Sequence, residues 1–253
     1  MWLAIANDVI KGERISQRRH MTKIKFSDTF ISVIPTYEET REHSHSMLHV
    51  FFGKDTLKLN ETYGRMIILE QNVKHKRPEG DILFFLFVDP TSRFAEILRR
   101  DYLKGESVYA TMNMPLLIES ACKAQEEWSP EKIEICLSDL FGDVLHTRRD
   151  GIDPRVLSIL EKADRFDYLE KRVKDLAREL YYSESYVAHL FKDETGINLK
   201  NYLLLRRFEY VWQKISSGEQ ITKAVMDAGF SSPSHFADTC RKLTGISAAE
   251  VLR

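Results

Sequence analysis

Two stretches of the chain, residues 183–197 (SESYVAHLFKDETGI) and residues 232–246 (SPSHFADTCRKLTGI), share one pattern at an offset of 49 residues. Both begin with a serine, carry a second serine two residues later and close on Thr-Gly-Ile. A leading serine caps a helix by accepting a backbone N–H group, and glycine is typical of the position just after a helix. The repeat therefore predicts two copies of one capped helix, an arrangement by which a chain builds two DNA-recognition helices.

Each repeated helix follows a shorter one, as in a helix-turn-helix motif. Residues 173–180 have apolar side chains at helical spacing, and Tyr181-Tyr182 is the predicted turn. Val225 and Ala228 support the second copy, where Gly229 ends the preceding helix. The inward face of the first copy is predicted to hold Tyr186, Val187, Leu190 and Phe191, and that of the second Phe236, Thr239 and Leu243. The outward faces are then Glu184, Ser185, Ala188, His189 and Lys192 in the first copy, and Ser234, His235, Ala237, Asp238 and Arg241 in the second.

Composition restricts the class of protein. With 253 residues, 43% of them apolar and 30% charged, the chain is long enough for two ordinary domains with real cores. The net charge is −1, and residues 154–253 hold 16 Lys and Arg against 14 Asp and Glu, a balance of +2. This balance argues against a general polyanion binder, so nucleic-acid binding would have to depend on locally placed charges.

Other sequence signals concern the cellular compartment. Cys122, Cys136 and Cys240 are scattered, without the close pairs that bind zinc or form redox centres. No apolar run is long enough for a membrane helix, and the first residues lack the pattern of a secretory signal. We therefore expect a cytoplasmic protein with reduced thiols and no membrane partner.

Turn signals divide the chain into four regions with an α+β fold. β-branched and aromatic runs cut by glycine and proline predict strands at 30–34, 47–52, 56–59, 65–69 and 82–88. A helix is predicted at 92–103, and two amphipathic helices follow at about 113–127 and 130–146. Residues 1–25 are predicted to be an N-terminal segment that a start upstream of Met21 could explain, and residues 26–110 an antiparallel β domain. Residues 111–150 are predicted to be a helical dimerisation or linker region. Residues 151–253 are predicted to be a seven-helix domain with motifs at 173–195 and 220–244.

Residues from about 154 onward resemble the DNA-binding domain of the AraC/XylS family of bacterial transcription regulators. Leu176-Ala177, the run from Phe191 to Gly196, and the run AGFSSPSHF at 228–236 carry the resemblance, together with Tyr202 to Arg207, Ile221 and the segment Lys242 to Gly245. The resemblance implies two recognition helices in successive major grooves, joined by a long helix at 199–216. Bases would be contacted by Ser185, Ala188, His189, Ser234 and Asp238, with His235 and Arg241 nearby, and phosphates by Ser183, Ser232, Lys192 and Arg206.

The chain departs from the family pattern at three positions. His189 and Asp238 stand where relatives often have arginine or another long donor, and Trp212 replaces the usual small residue of the linking helix. Neither place therefore offers the arginine that makes the commonest specific contact to guanine. The second recognition helix is therefore expected to bind weakly or to depend on DNA shape.

Four histidines fall in the β domain: His43, His45, His49 and His75. With Gly64, their spacing resembles the two sequence motifs of cupin barrels, in which proline and glycine stand where this chain has Glu70 and Asn72. Asparagine tolerates a left-handed turn, so that turn is expected to persist. The short stretch from Gly53 to Gly64 indicates an incomplete barrel, a cupin-like half-barrel. The histidines are candidates for lining a ligand pocket; binding of Fe, Mn or Zn and a purely structural role are the alternatives.

The favoured interpretation is a sequence-specific transcription regulator that is not an enzyme, has no cofactor or catalytic residue, and acts as an activator. Its partners would be operator DNA, RNA polymerase, a small-molecule effector and a second copy of the chain. One alternative is a regulator controlled by a protein partner such as a chaperone, because residues 231–236 are similar to virulence and secretion regulators of the family. Another alternative is a metal-dependent cupin enzyme fused to a helical bundle.

Overall fold

The computed structural model of the chain describes residues 23–27, 29–35, 42–124 and 127–244, with side chains through residue 240. Within these residues the fold is an antiparallel sheet with flanking helices, followed by a helical domain. This agrees with the predicted α+β class. No helix in the described part of the chain combines the length and apolarity needed to cross a membrane.

One six-stranded sheet forms the front of the described chain, in the order β1-β2-β5-β3-β4-β6. Every neighbouring pair is antiparallel. The strands are β1 (Lys23–Phe26), β2 (Phe30–Ile34), β3 (Leu48–Leu59), β4 (Thr62–Leu69), β5 (Ile82–Val88) and β6 (Val108–Thr111). Because side chains alternate along a strand, the sheet buries two different faces.

The first sheet face packs against helices. These are α1 (Arg93–Ile97), which continues as a π-helical turn to Leu103, α2 (Leu116–Lys123) and α3 (Pro130–Phe141). A 3₁₀ turn follows at Gly142–His146. Leu48, Val50 and Phe84 lie on this face in one core with Ile133 and Leu137 of α3. The predicted helices at 113–127 and 130–146 therefore exist in shortened form.

The second sheet face forms its own apolar cluster, which includes Phe51, Ile67, Phe85 and Phe87. Leu205 of the helical domain packs against this cluster. His49 lies between Leu48 and Val50 on β3, so its side chain points to this second face. The sheet thus presents histidine and phenylalanine side chains towards the helical domain.

Six helices follow in residues 154–244. They are α4 (Pro154–Asp164), α5 (Val173–Glu179), α6 (Glu184–Thr195), α7 (Leu199–Ser216), α8 (Ile221–Asp227) and α9 (Pro233–Thr244). Leu199, Tyr202 and Leu203 of α7 belong to a core with α4, α5 and α6, whereas its later residues Phe208 and Trp212 belong to a core with α8 and α9. One linking helix, α7, therefore holds two helix-turn-helix units. The predicted seventh helix, at the C-terminus, lies outside the described residues.

Several predicted boundaries differ from the structure. β1 begins at Lys23, inside the segment 1–25 that was set apart, and the predicted strands 47–52 and 56–59 form one strand with a bulge between Phe52 and Leu57. The helix expected over residues 173–180 begins at Val173 and ends at Glu179, and Phe166, before it, has a left-handed φ of 61°. Asn72 has a φ of 63°, which confirms the expected turn at that asparagine.

Candidate functional site

The first recognition helix, α6, is fixed at both ends. The Oγ atom of Ser183 accepts a hydrogen bond from the backbone N–H of Tyr186 at 3.2 Å, which caps the start of the helix. Gly196 ends it in the left-handed conformation, with a φ of 73°. Val187 and Phe191 are buried, so the helix has one orientation relative to its core. Its opposite face is held towards solvent.

The second recognition helix, α9, repeats this construction. The Oγ atom of Ser232 accepts from the backbone N–H of His235 at 3.1 Å. Phe236, Thr239 and Cys240 are buried against the linking helix α7 and helix α8. The Nδ1 atom of His235 lies 3.0 Å from the hydroxyl of Ser231, which orients this imidazole at the start of the helix.

Most of the residues predicted to contact DNA lie on the outward faces of these two helices. Exposed are Ser183, Ser185, His189, Lys192, Ser234, His235 and Asp238, while Ala188 and Ser232 are half-buried. The side chain of Arg241 lies outside the described side chains. The side chain of Leu243, which was predicted to face inward, also lies outside the described side chains. The described members of this set on α6 and α9 are thus exposed, except for the half-buried Ala188, and their contact with DNA stays a prediction.

Tyr186 was predicted to face inward, and that prediction is wrong: its side chain is 41% exposed. Tyr182 packs beside it, with ring centroids 4.9 Å apart, and the guanidinium of Arg155 lies 5.6 Å from both rings. Arg155 also donates a hydrogen bond to the Tyr186 hydroxyl at 2.8 Å. This aromatic and basic group borders α6. Sequence periodicity did not reveal it, because tyrosine is compatible with either face of a helix.

Arg206, predicted as a phosphate contact, is buried and only 8% exposed. Its guanidinium lies 2.5 Å from Glu209, 3.3 Å from Asp89 and 3.4 Å from Asp164. In this arrangement it is not available to a phosphate group, so the structure contradicts the predicted role. Arg206 connects the linking helix to the sheet domain instead.

Asp89 is the sheet-domain member of this buried ion-pair network. Its carboxylate lies 3.3 Å from both Arg148 and Arg206 and accepts from the Thr91 hydroxyl at 2.6 Å. Burial alone would raise the pKa of Asp89, but the two guanidinium groups and the Thr91 hydrogen bonds outweigh it and lower the pKa. The carboxylate is therefore ionised, and the network joins the sheet domain to α7 electrostatically.

The four histidines of the sheet domain lie together, as their candidacy for one site requires. The ring centroid of His75 lies 4.6 Å from that of His43 and 5.3 Å from those of His45 and His49. One ring nitrogen from each of His43, His45 and His75 can be chosen so that all three lie within 4.8 Å of one another. Sequence spacing alone could not show that the residues around position 43 and position 75 pair.

Burial favours the neutral form of two of these imidazoles, those of His49 and His75, by lowering the pKa of each. It lowers the pKa of His75 to about 4, against the smaller opposing effect of the hydrogen bond with the Val73 carbonyl, and the neighbouring His43 lowers the pKa further. Burial and then the other three histidines lower the pKa of His49 well below its usual value. Neutral imidazole is the form that offers a lone pair to a ligand.

The turn at residues 70–72 connects the histidines to the first recognition helix. The backbone N–H of Asn72 donates to the His45 carbonyl at 2.6 Å, and Glu70 forms a two-point ion pair with Arg99, both distances being 2.8 Å. Gln71 lies against Gly196, at the end of α6: a Cβ atom added there would be 2.0 Å from Gln71 Nε2. A cleft of about 370 Å³ lies beside this contact.

Two capped recognition helices joined by one linking helix define the class: a helix-turn-helix DNA-binding protein. A family model described as a helix-turn-helix domain matches residues 176–253. These residues form a helix-turn-helix domain of the AraC type. No curated protein sequence matches the chain.

Solved structures of two named proteins are similar to the chain. ToxT from Vibrio cholerae is 13% identical with a TM-score of 0.49, and the alignment covers 92% of this chain and 98% of ToxT. The C-terminal domain of AraT, a response regulator from Geobacillus stearothermophilus, is 21% identical with a TM-score of 0.37, over 40% of this chain and 86% of that domain.

Proposed function

We propose that the chain is a sequence-specific transcription regulator that binds operator DNA through α6 and α9 and acts as an activator with RNA polymerase. The sheet domain senses an effector and contributes to a homodimer. The regulator acts in the cytoplasm. The observation that carries the proposal is the pair of capped helices with polar outward faces, both packed on α7. The histidine cluster belongs to sensing in this proposal, not to catalysis.

The length of the linking helix fits two successive major grooves. An α-helix of 18 residues is about 27 Å long at 1.5 Å per residue. Two helices that enter adjacent major grooves on one face of a duplex are roughly 34 Å apart. Because α7 contributes to both cores, the separation of the two units is fixed before DNA binds, which lowers the entropic cost of binding.

The outward faces divide into base and phosphate contacts. His189 and Ser185 on α6, with Asp238 on α9, are the proposed base contacts, and Ser183, Ser232 and Lys192 the proposed phosphate contacts. Asp238 accepts hydrogen bonds only, so it suits a cytosine amino group and disfavours a nearby phosphate. This gives α6 the larger share of affinity and leaves α9 to select against unsuitable sequences.

Selection of bound fragments from random DNA tests the proposal. We expect a recovered motif with two contact blocks about one helical turn apart. His189→Ala should then relax specificity at one block by about 1–3 kcal/mol, whereas Lys192→Ala should weaken all sequences alike and reduce the salt slope by about 1. His146→Ala is the matched control, because His146 is exposed but lies on the other domain. Recovery of no motif, or equal effects of all three substitutions, would contradict the proposal.

A further inference from the structure

We infer that Tyr181, Tyr182 and Tyr186 form one tyrosine surface, which binds the sugar–phosphate backbone of operator DNA beside the groove that α6 enters. Arg155 positions two of its three rings. This contact rests on the proposed function and adds to it, because none of the three tyrosines was predicted to contact DNA. Tyrosine hydroxyls are among the groups with which proteins contact phosphate and sugar.

Tyr181 occupies a backbone position that favours glycine. It follows the end of α5 with a left-handed φ of 60°, and its N–H donates to the carbonyl of Arg178 at 3.2 Å, while the N–H of Tyr182 donates to that of Ala177 at 3.0 Å. A helix often ends in this way, most often with glycine as the left-handed residue, because a β-carbon strains that conformation. The Tyr181 side chain is 95% exposed, so its packing does not compensate the strain. Such strain indicates a function for the side chain.

The second helix-turn-helix unit makes the same turn without this strain. Gly229, with a φ of 78°, donates to the carbonyl of Met226 at 2.9 Å, and the N–H of Phe230 donates to that of Val225 at 3.2 Å. Phe230 corresponds to Tyr182, but it is 2% exposed whereas Tyr182 is 44% exposed. One unit therefore uses glycine and a buried ring where the other has two exposed tyrosines. The turn itself does not require those tyrosines.

Arg155 fixes the rings of Tyr182 and Tyr186. Its Nε and Nη2 atoms donate to the two carboxylate oxygens of Asp153 at 2.8 and 2.6 Å, which orients the guanidinium group. Nη1 donates to the Tyr186 hydroxyl at 2.8 Å, and the guanidinium carbon lies 5.6 Å from both ring centroids. Both rings are therefore held in place before a ligand binds, which lowers the entropic cost of binding.

The hydrogen bond from Arg155 also decides what the Tyr186 hydroxyl can bind. A guanidinium group only donates, so the Tyr186 oxygen is the acceptor and its own proton is left for another acceptor. The ionised oxygens of a phosphate diester accept hydrogen bonds and donate none. Asp153 balances the charge of Arg155, so the tyrosine surface offers neutral donors and no free cation.

The tyrosine surface adjoins the outward face of α6. Tyr182 directly precedes Ser183, a proposed phosphate contact, whose Oγ atom accepts from the N–H of Tyr186 at 3.2 Å. On the helix, Tyr186 lies about 100° around the axis from Ser185, at the flank of the outward face. The major groove is about 12 Å wide, close to the diameter of a helix with its side chains, so a flank faces a sugar–phosphate strand. A protein docked here would cover the start of α6, whereas DNA continues the same contact, and DNA is therefore the occupant.

The test measures the operator affinity of the full chain at several salt concentrations. Tyr186→Phe keeps the ring and removes only the hydroxyl, so we expect about 2- to 10-fold weaker binding to every sequence, the effect of one hydrogen bond. The salt slope should stay unchanged because no cation is lost, in contrast to Lys192→Ala. Tyr63→Phe is the control, since Tyr63 is 55% exposed but lies on β4. Equal affinity of Tyr186→Phe and Tyr63→Phe would overturn the contact.

Tyr181→Gly separates DNA binding from stability. Relief of the left-handed strain should raise the melting temperature, whereas loss of the ring should weaken operator binding. A tyrosine with a structural role alone would lower both. A higher melting temperature with unchanged operator affinity would remove Tyr181 from the tyrosine surface.

Arg155→Lys tests the positioning role. Lysine keeps the charge, but it lacks the planar fork that holds Asp153 and Tyr186 at once. We expect weaker operator binding with an unchanged salt slope, and no further loss when Tyr182→Phe and Tyr186→Phe have removed both hydroxyls. A further loss in that background would show that Arg155 itself contacts phosphate and would overturn its positioning role.

Two more outcomes separate this contact from the proposed function. Tyrosine variants that bind operator normally but fail to activate transcription would assign the surface to RNA polymerase, which would overturn the DNA contact and leave the proposed function standing. A wild-type chain that recovers no DNA motif would contradict the proposed function, and the DNA contact with it.

Discussion

The carboxylate of Asp89 is 2% exposed and lies between the guanidinium groups of Arg148 and Arg206. Arg148 precedes the helical domain and also pairs with Asp164 at 2.6 Å, so charges of both domains meet at one point. A buried ion is costly unless it is paired, and loss of one partner leaves the other charges uncompensated. At the residue scale, Asp89 therefore contributes the buried counter-charge for arginines that belong to both sides of the contact between the domains.

Replacement of this carboxylate tests its importance. Asp89→Asn should lower the free energy of unfolding by about 3–5 kcal/mol, because both arginines stay buried with one fewer counter-charge. Denaturant unfolding at neutral pH measures the difference. Asp101→Asn is the control: it also removes an arginine partner, that of Arg100, but the pair is exposed and no measurable change is expected. Similar results for the two variants would show that the network contributes nothing.

The lowered pKa of Asp89 also predicts how the difference in stability between the wild-type protein and Asp89→Asn depends on pH. A carboxyl group whose pKa is depressed on folding contributes stability above its unfolded pKa of about 3.9, and this contribution is lost as pH falls through the folded value. The wild-type protein and Asp89→Asn should therefore differ fully at pH 7 and converge below about pH 4. Unfolding curves at several pH values provide the check, and a constant difference would contradict the assignment.

Sequence reasoning could not have found this network. Asp89 and Arg206 are 117 positions apart, and nothing in the local pattern links them. The spacing of Arg206 and Glu209 on one helix does allow an ion pair, which was the one available sign that Arg206 is not a free cation. Its predicted phosphate contact came from resemblance alone. The four histidines, in contrast, were found as candidates because they fall in one domain and their spacing resembles the cupin motifs.

At the scale of elements, helices were easier to predict than edge strands. The bounds of α7 were predicted as observed, and those of α6 and α9 within one residue, because apolar spacing and a capping residue both mark each helix. β1 and β6 were missed: each has only four residues, and β6 pairs with β4, a strand about 40 residues earlier in the sequence. A pattern of four residues is too short to distinguish a strand from a loop.

The contact of Gln71 with the end of α6 leads to a prediction about two glycines. Gly196 and Gly218 both have positive φ, at 73° and 90°, so alanine is strained at either position. Only at Gly196 would the new Cβ meet another group, Nε2 of Gln71; at Gly218 nothing lies within 4 Å. The Gln71 amide is the flexible end of its side chain and can move aside, so Gly196→Ala should destabilise the protein only slightly more than Gly218→Ala, as measured by thermal unfolding.

A second substitution identifies the cause of that difference. With Gln71→Ala in the background, the side chain that meets the new Cβ is absent, and Gly196→Ala should cost no more than Gly218→Ala. This double-mutant cycle isolates the contact between the domains. An unchanged cost of Gly196→Ala in that background would assign the effect to backbone strain alone.

At the scale of the whole molecule, α7 joins three structural units. It contributes to both helix-turn-helix cores, and Leu205 packs against the second face of the sheet. Phe208 lies edge-on to Phe26 of β1, with ring centroids 5.8 Å apart. A change in the sheet domain therefore reaches both DNA-binding units through one rigid element. In the proposed function, this connection would be the physical route by which an effector bound to the sheet domain alters operator binding.

The helices of the sheet domain present apolar side chains to solvent, which bears on assembly. Leu116 of α2 is 81% exposed and Ile135 of α3 is 61% exposed. We expect the region 111–150 to form a homodimer through these side chains, so that Ile135→Lys shifts the protein to monomer in sedimentation velocity across a range of concentrations. Met226→Lys is the control, since Met226 is 51% exposed but lies on α8. A wild-type protein that stays monomeric at every concentration would contradict the predicted homodimer. In the proposed function, each operator would then be bound by the two recognition helices of a single chain.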